Sequence, residues 1–320
     1  MRDHGGNIDG AMARHGGRTR DWVDLSTGIN RVPYPVPPLP PEAWTALPTR
    51  AATAALVAAA RAAYATPAAI LPVAGAQAAI QMIPRLGPPG QARVLGPTYN
   101  EHAGSLVAAG WQVTEVSDPA ALVGADLAVV VNPNNPDGRR HGREALLELA
   151  GQVGRLVIDE SFADAAPGQS LTGVARRPGL FVLRSFGKFY GLAGLRLGFV
   201  LGAEAEIAAL AEMAGPWPVS GAAIKVGRVA LSDRAWADAT IARLRAETVR
   251  IDDLTRRAGW SLVGGCELFR LYDTGDAVAA QDRLARNRIW SRIFPYSDRW
   301  LRLGLPGAET EWTQLARALS

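Results

Sequence analysis

Lys188 is one of only two lysines in the 320 residues. It stands in Leu183-Arg184-Ser185-Phe186-Gly187-Lys188-Phe189-Tyr190-Gly191, just past a short apolar run. An amine placed there and deprotonated by its surroundings attacks an aldehyde carbonyl and forms an imine. Ser185, three residues earlier, and Arg196, eight later, supply a hydroxyl and a guanidinium suited to a phosphate. Taken alone, a surface lysine in a basic loop explains the segment equally well. The order of the other polar clusters decides between the two.

Four such clusters precede it. Ala74-Gly75-Ala76-Gln77 closes an apolar run and opens a helical one, so its backbone N–H groups can receive a phosphate; an ordinary tight turn is the alternative. Gly96-Pro97-Thr98-Tyr99-Asn100-Glu101-His102 offers Tyr99 either as a stacking partner for a planar ring or as rim packing. In Asn132-Pro133-Asn134-Asn135-Pro136-Asp137-Gly138, two prolines bracket amides that can donate to a phenolate oxygen. Val157-Ile158-Asp159-Glu160 places a carboxylate straight after a buried run. Beside a pyridine nitrogen Asp159 would keep that nitrogen protonated, making the ring an electron sink, whereas in solvent it is a loop carboxylate or a helix cap.

These clusters need strand ends to present them. Apolar runs at Ile70 to Val73, Ala92 to Leu95, Gln112 to Val116, Leu127 to Val131, Leu156 to Ile158, Phe181 to Leu183 and Leu197 to Leu201 alternate with helical segments. That alternation implies an α/β fold with a mostly parallel sheet flanked by helices, whose ligand crevice lies at the carboxyl ends of the strands. Residues 1–50, rich in Gly, Pro and Arg, read as an extended arm that contributes to a small domain. Residues 51–215 read as the large domain. Residues 216–320 read as linking helices, including one from Arg234 to about Gly259, and a small α/β domain with strands at Trp260 to Val263, Leu268 to Tyr272, Ile289 to Ile293 and Trp300 to Leu303.

Composition narrows the function classes. The chain is 48% apolar, enough for a substantial core. Its start lacks a secretory pattern and none of its apolar stretches spans a bilayer, so a cytoplasmic protein without membrane contact is expected. Cys266 is the single cysteine; no intramolecular disulfide can form, and no metal site is expected. The net charge of +4 and pI near 9.6 come from scattered arginines rather than a clustered face. No nucleic-acid partner is expected.

In this order the clusters resemble those of the fold-type I pyridoxal-phosphate (PLP) enzymes of the aspartate aminotransferase superfamily, over essentially the whole chain. The resemblance implies a PLP-dependent transferase fold in which Lys188 carries the cofactor, Asp159 pairs with its ring nitrogen, Asn135 bonds its ring oxygen and Tyr99 stacks on it. Gly75, Ala76, Gln77, Ser185 and Arg196 fall at its phosphate, and His102 supports Asp159 from behind. It further implies a homodimer.

Within that superfamily, His4-Gly5-Gly6-Asn7, Asp24-Leu25-Ser26-Thr27-Gly28-Ile29-Asn30, Gly215-Pro216-Trp217-Pro218-Val219-Ser220 and Ser291-Arg292-Ile293-Phe294 resemble the L-threonine-O-3-phosphate decarboxylases of cobalamin biosynthesis. Histidinol-phosphate aminotransferases share the cofactor motifs but not, typically, the His-Gly-Gly-Asn opening, and remain the alternative. The first resemblance implies a small phosphorylated amino acid as substrate, with Arg302 on its carboxylate and Arg292 on its phosphate, assisted by His4 and Asn30. Two positions depart from relatives. Leu47 stands where a tyrosine often reaches a neighbouring subunit's cofactor phosphate, and Phe162 stands where aminotransferases often have a tyrosine.

Overall fold

Leu127–Val131 is a run of five apolar residues, all buried, as a strand covered on both faces must be. In the computed structural model, which describes residues 4–320, it lies inside a seven-stranded sheet. The order across that sheet is Ala69–Val73, Gly198–Gly202, Leu180–Ser185, Arg155–Asp159, Leu127–Val131, Gln91–Leu95 and Gln112–Val116. Six strands share one direction; Gly198–Gly202 runs antiparallel to both its neighbours. The mostly parallel sheet implied by the apolar runs is therefore present, with one strand reversed. Val73, Val94, Val129, Val157, Phe181 and Val200 pack with Ile80, Leu106, Ile207 and Leu210 of the covering helices in one buried cluster.

This sheet belongs to a compact unit of residues 34–135 and 140–237; the other unit comprises 4–33, 136–139 and 238–320. A buried ion network braces the loop after Asp159 in the sheet unit. Arg184, 3% exposed, donates to Glu160 Oε2 at 2.9 Å and to Asp164 Oδ1 at 2.7 Å, and its guanidinium carbon sits 4.5 Å from the centroid of the Tyr64 ring. Glu160 also accepts from Ser170 Oγ at 2.5 Å and the Leu171 amide at 2.7 Å. Burial pushes the Glu160 carboxyl upward against these donors. Removing one member of such a buried set costs about 3–5 kcal/mol, because its partner charge is stranded. The loop is held correspondingly firmly, and with it the end of the Arg155–Asp159 strand.

The second unit has a four-stranded antiparallel sheet in the order Arg292–Phe294, Ser297–Gly304, Phe269–Asp273, Ser261–Cys266. Two corrections to the sequence reading arise here. The amino-terminal arm is not simply extended. It contains the helix Ile8–His15, begun by Asn7, whose side chain accepts from the Gly10 amide, and ended at Gly16 with φ 74°. The expected strand Ile289 to Ile293 is two strands. Ile289–Trp290 pairs in parallel with Val23–Asp24, whereas Arg292–Phe294 joins the four-stranded sheet. No helix among the described residues is long and apolar enough to cross a membrane.

Candidate active site

Lys188 lies on a single helical turn, Phe186–Phe189, that follows the Leu180–Ser185 strand directly, rather than in the open loop implied by its glycines. That turn needs Gly187. A Cβ there would approach Ala193 Cα to 2.7 Å. The lysine lines a cavity with Gly75, Ala76, Gln77, Tyr99, Asn135, Asp159, Ser185 and Arg196, together with Ser161 and Phe162. The Lys188 ammonium is 5.7 Å from the centroid of the Phe162 ring. Nine of the ten residues expected around the cofactor thus share one cavity. His102, the tenth, sits outside its wall, behind Asp159.

Asp159 ends the Arg155–Asp159 strand and is 2% exposed. His102 Nε2 is 2.8 Å from its Oδ2. Its Oδ1 accepts from the Ser161 amide at 2.9 Å and from Ser161 Oγ at 2.5 Å. Burial pushes the carboxyl's pKa up, but the hydrogen bond and charge of His102 and the two bonds from Ser161 outweigh it, leaving the pKa below the ordinary aspartate value. Asp159 is therefore an ionised carboxylate in a buried wall. Ser161 escaped the sequence reading, although a Ser two residues after an Asp is the spacing of a side-chain-closed turn.

Three asparagines occupy the Asn-Pro turn, and hydrogen bonding separates them. Asn132 exchanges two bonds with the His141 backbone, at 3.2 and 2.9 Å. Asn134 donates to Pro97 O at 3.1 Å and accepts from Thr98 Oγ1 at 2.6 Å. Both fold the turn, and Asn135 lines the cavity. In the same lining, Gln77 Nε2 donates to Glu101 Oε2 at 2.8 Å, and its Oε1 accepts from Tyr99 OH at 3.4 Å. The Gln77 side chain is thus engaged with its neighbours.

Gly75 and Arg196 form the floor. Gly75 has φ 73° and ψ 158°, a region almost confined to glycine, and a Cβ there would lie 2.6 Å from Arg196 Nη2. Arg196 is itself left-handed, with φ 53°, and its Nη1 donates to Ala193 O at 3.2 Å. Gly75→Ala is expected to destabilise the protein by about 1–3 kcal/mol and, by displacing the guanidinium, to weaken cofactor binding. Thermal unfolding and cofactor titration of the apoprotein check both; unchanged affinity would remove this floor from the phosphate site.

The other four expected residues belong to the second unit. Arg292 and Arg302 are directly opposite on antiparallel strands, an arrangement of like charges that is unfavourable by itself. Arg302 is buried, and its Nη2 donates to Ser26 O at 2.7 Å. Burial and the Arg292 charge pull its pKa down to about 10, so an anion brought to the pair relieves both penalties. Asn30 Oδ1 accepts from the Val32 amide at 3.0 Å and from Arg243 Nη2 at 2.8 Å, which turns the amide nitrogen into its donor end. His4 is exposed. Arg243, in a helix rich in arginine, gave no signal in the sequence.

Residues 45–319 match the aminotransferase class I and II family. The chain belongs to that family. It is 44% identical to threonine-phosphate decarboxylase of Pseudomonas aeruginosa, over 100% of this chain and 97% of that one. It is 42% identical to a protein of the same name from a Sinorhizobium species, over 99% and 97%. Among solved structures it resembles histidinol-phosphate aminotransferase from Sinorhizobium meliloti in complex with pyridoxal-5'-phosphate. The TM-score is 0.82 at 21% identity, over 97% of this chain and 92% of that one, a likeness of fold.

Aminotransferases of class I and II use PLP, and this chain's cavity suits it. The buried, ionised Asp159 matches a protonated ring nitrogen, and Asn135 a phenolic oxygen. Tyr99 and Phe162 match a planar ring, Lys188 an aldehyde, and the Gly75–Arg196 floor with Ser185 a phosphate. In this member of the class I and II aminotransferases the aromatic Phe162, 5% exposed, offers no hydroxyl to the ring oxygen. Asn135 lines the same cavity and carries an amide.

Proposed function

We propose that this chain is a PLP-dependent threonine-phosphate decarboxylase. It would release carbon dioxide from L-threonine O-3-phosphate and leave (R)-1-amino-2-propanol O-2-phosphate for the aminopropanol linker of cobalamin. The observation that carries this reading is the end-to-end 44% identity to a protein of that name. Bound at Lys188, PLP supplies an electron sink for the bond broken at the substrate's Cα.

The chain's own residues do the rest. Lys188 Nζ is the amine that would hold the cofactor through its aldehyde. Asp159 holds the proton on the ring nitrogen, with His102 and Ser161 fixing both carboxylate oxygens. Asn135 donates to the ring oxygen, Tyr99 flanks the ring, and Gly75, Ala76, Gln77, Ser185 and Arg196 hold the phosphate. Arg302 takes the substrate carboxylate and Arg292 its phosphate, with His4 and Asn30 assisting. A grip on both anions selects which Cα bond is presented for cleavage. The Cα–carboxylate bond breaks, carbon dioxide leaves, and a proton returns to Cα.

The test is incubation of the holoenzyme with L-threonine phosphate and no keto-acid acceptor. Carbon dioxide and aminopropanol phosphate are expected in equal amounts, and their absence overturns the reading. The histidinol-phosphate aminotransferase alternative requires instead that an amino donor convert the cofactor to its amine form. The reading includes a cytoplasmic homodimer without membrane or nucleic-acid partners. Trp44 and Leu47, 70% and 65% exposed, are large apolar groups of the kind a subunit interface covers, and sedimentation measures the oligomer.

A further inference from the structure

Two segments with no part in the cofactor cavity, His4-Gly5-Gly6-Asn7 and Asp24 to Asn30, meet at one fully buried side chain, Ser26. Its Oγ accepts the Gly6 amide at 2.7 Å and donates to Asp24 Oδ1 at 2.6 Å. Its own amide donates to the same oxygen at 2.9 Å. Its carbonyl oxygen accepts Arg302 Nη2 at 2.7 Å. Gly5 packs so closely that a Cβ would lie 2.4 Å from that carbonyl oxygen. The base of the joint is also tied down: Arg31 Nη1 donates to Asp24 O at 3.2 Å while Arg31 Nε and Nη2 reach Glu311 at 2.9 and 2.5 Å.

We infer that Ser26 is a positioning residue that couples the amino-terminal segment to Arg302. The peptide that carries His4 and the guanidinium assigned to the substrate carboxylate are then set as one piece. The inference rests on the decarboxylase reading for the role of Arg302, but the joint itself is a matter of hydrogen bonds. Removing the hydroxyl strands the Gly6 donor and one lone pair of Asp24. Because a buried donor without an acceptor is strongly disfavoured, the segment departs and the carbonyl that aims Arg302 shifts.

The experiment compares Ser26→Ala and Gly5→Ala holoenzymes with the wild type by steady-state decarboxylation and by hydrogen exchange of the 4–10 segment and the Ser297–Gly304 strand. Gly5→Ala opens the same joint from the arm side while keeping the Ser26 hydroxyl, its Cβ pressing on the Ser26 carbonyl oxygen, so it serves even where Ser26→Ala fails to fold. Both variants are expected to raise KM for L-threonine phosphate about tenfold, to change kcat less than about threefold, and to speed exchange in both segments. A loss confined to kcat, or exchange unchanged in either segment, overturns the coupling. Should the wild type not decarboxylate, the function reading fails, and exchange in the two segments alone then decides the coupling.

Discussion

Lys188→Ala is expected to abolish decarboxylation, with a loss of at least about 10³-fold, while the fold persists. Only one other lysine competes for the role. Lys225 is a half-buried residue 3.4 Å from Glu42, on a helix that contributes no residue to the cavity lining. Lys188 stands among the strand-end groups that suit a pyridine ring, with one aromatic face beside its ammonium. Borohydride treatment of the holoenzyme should fix the cofactor's mass to the peptide containing Lys188 and to no other. Lys225→Ala should be labelled and active like the wild type. A cofactor fixed to Lys225, or a Lys188→Ala enzyme within tenfold of full activity, would overturn the assignment. The melting temperature of the apoprotein, measured alongside activity, separates a chemical loss from a structural one.

The cavity was legible because its residues stand at the ends of strands whose central residues are apolar and buried. A strand covered on both faces leaves an uninterrupted hydrophobic run, and the first polar group after it must stand at the crevice. Asp159, which ends Arg155–Asp159, and the asparagine turn after Leu127–Val131, which brings Asn135 to the cavity, are of this kind. The second unit was less legible because its strands are short and pair with distant partners. Nothing between Ile289 and Ile293 marks a break, since Ser291 carries no turn signal of its own. The change of partner there depends on Val23–Asp24, more than 260 positions away. The helix Ile8–His15 did carry signals, Asn7 before it and Gly16-Gly17 after it, but they were lost among the glycines and arginines around them. Residues that act through others, such as Arg243 on Asn30 and Ser161 on Asp159, are invisible to patterns of periodicity. The role of Arg243 exists only once two segments are in contact, and that of Ser161 is a local turn that periodicity does not register.

Asp159→Asn is expected to lower decarboxylation on the order of 10³-fold and to leave the bound cofactor's ring nitrogen unprotonated at neutral pH. The carboxylate is well suited to that proton. It is buried, so its field is little screened, and the donors that outweigh burial hold its pKa below the ordinary aspartate value of 3.8. A group depressed in this way stabilises the fold at pH above its unfolded value, and the contribution is lost as pH falls through the lower folded one. Between pH 6 and 9 Asp159 is accordingly a constant negative charge, and acid or base limbs in the rate profile over that range belong to other groups. Asparagine removes the charge and gives Ser161 and His102 an amide that matches only some of their hydrogen bonds. His102→Phe keeps the charge and removes one support, so its loss should be smaller, about tenfold. The nitrogen-15 shift of labelled cofactor reports the protonation state directly. If the ring nitrogen of the Asp159→Asn enzyme remains protonated at pH 7.5, another group holds that proton, and the buried carboxylate braced by His102 and Ser161 is structural.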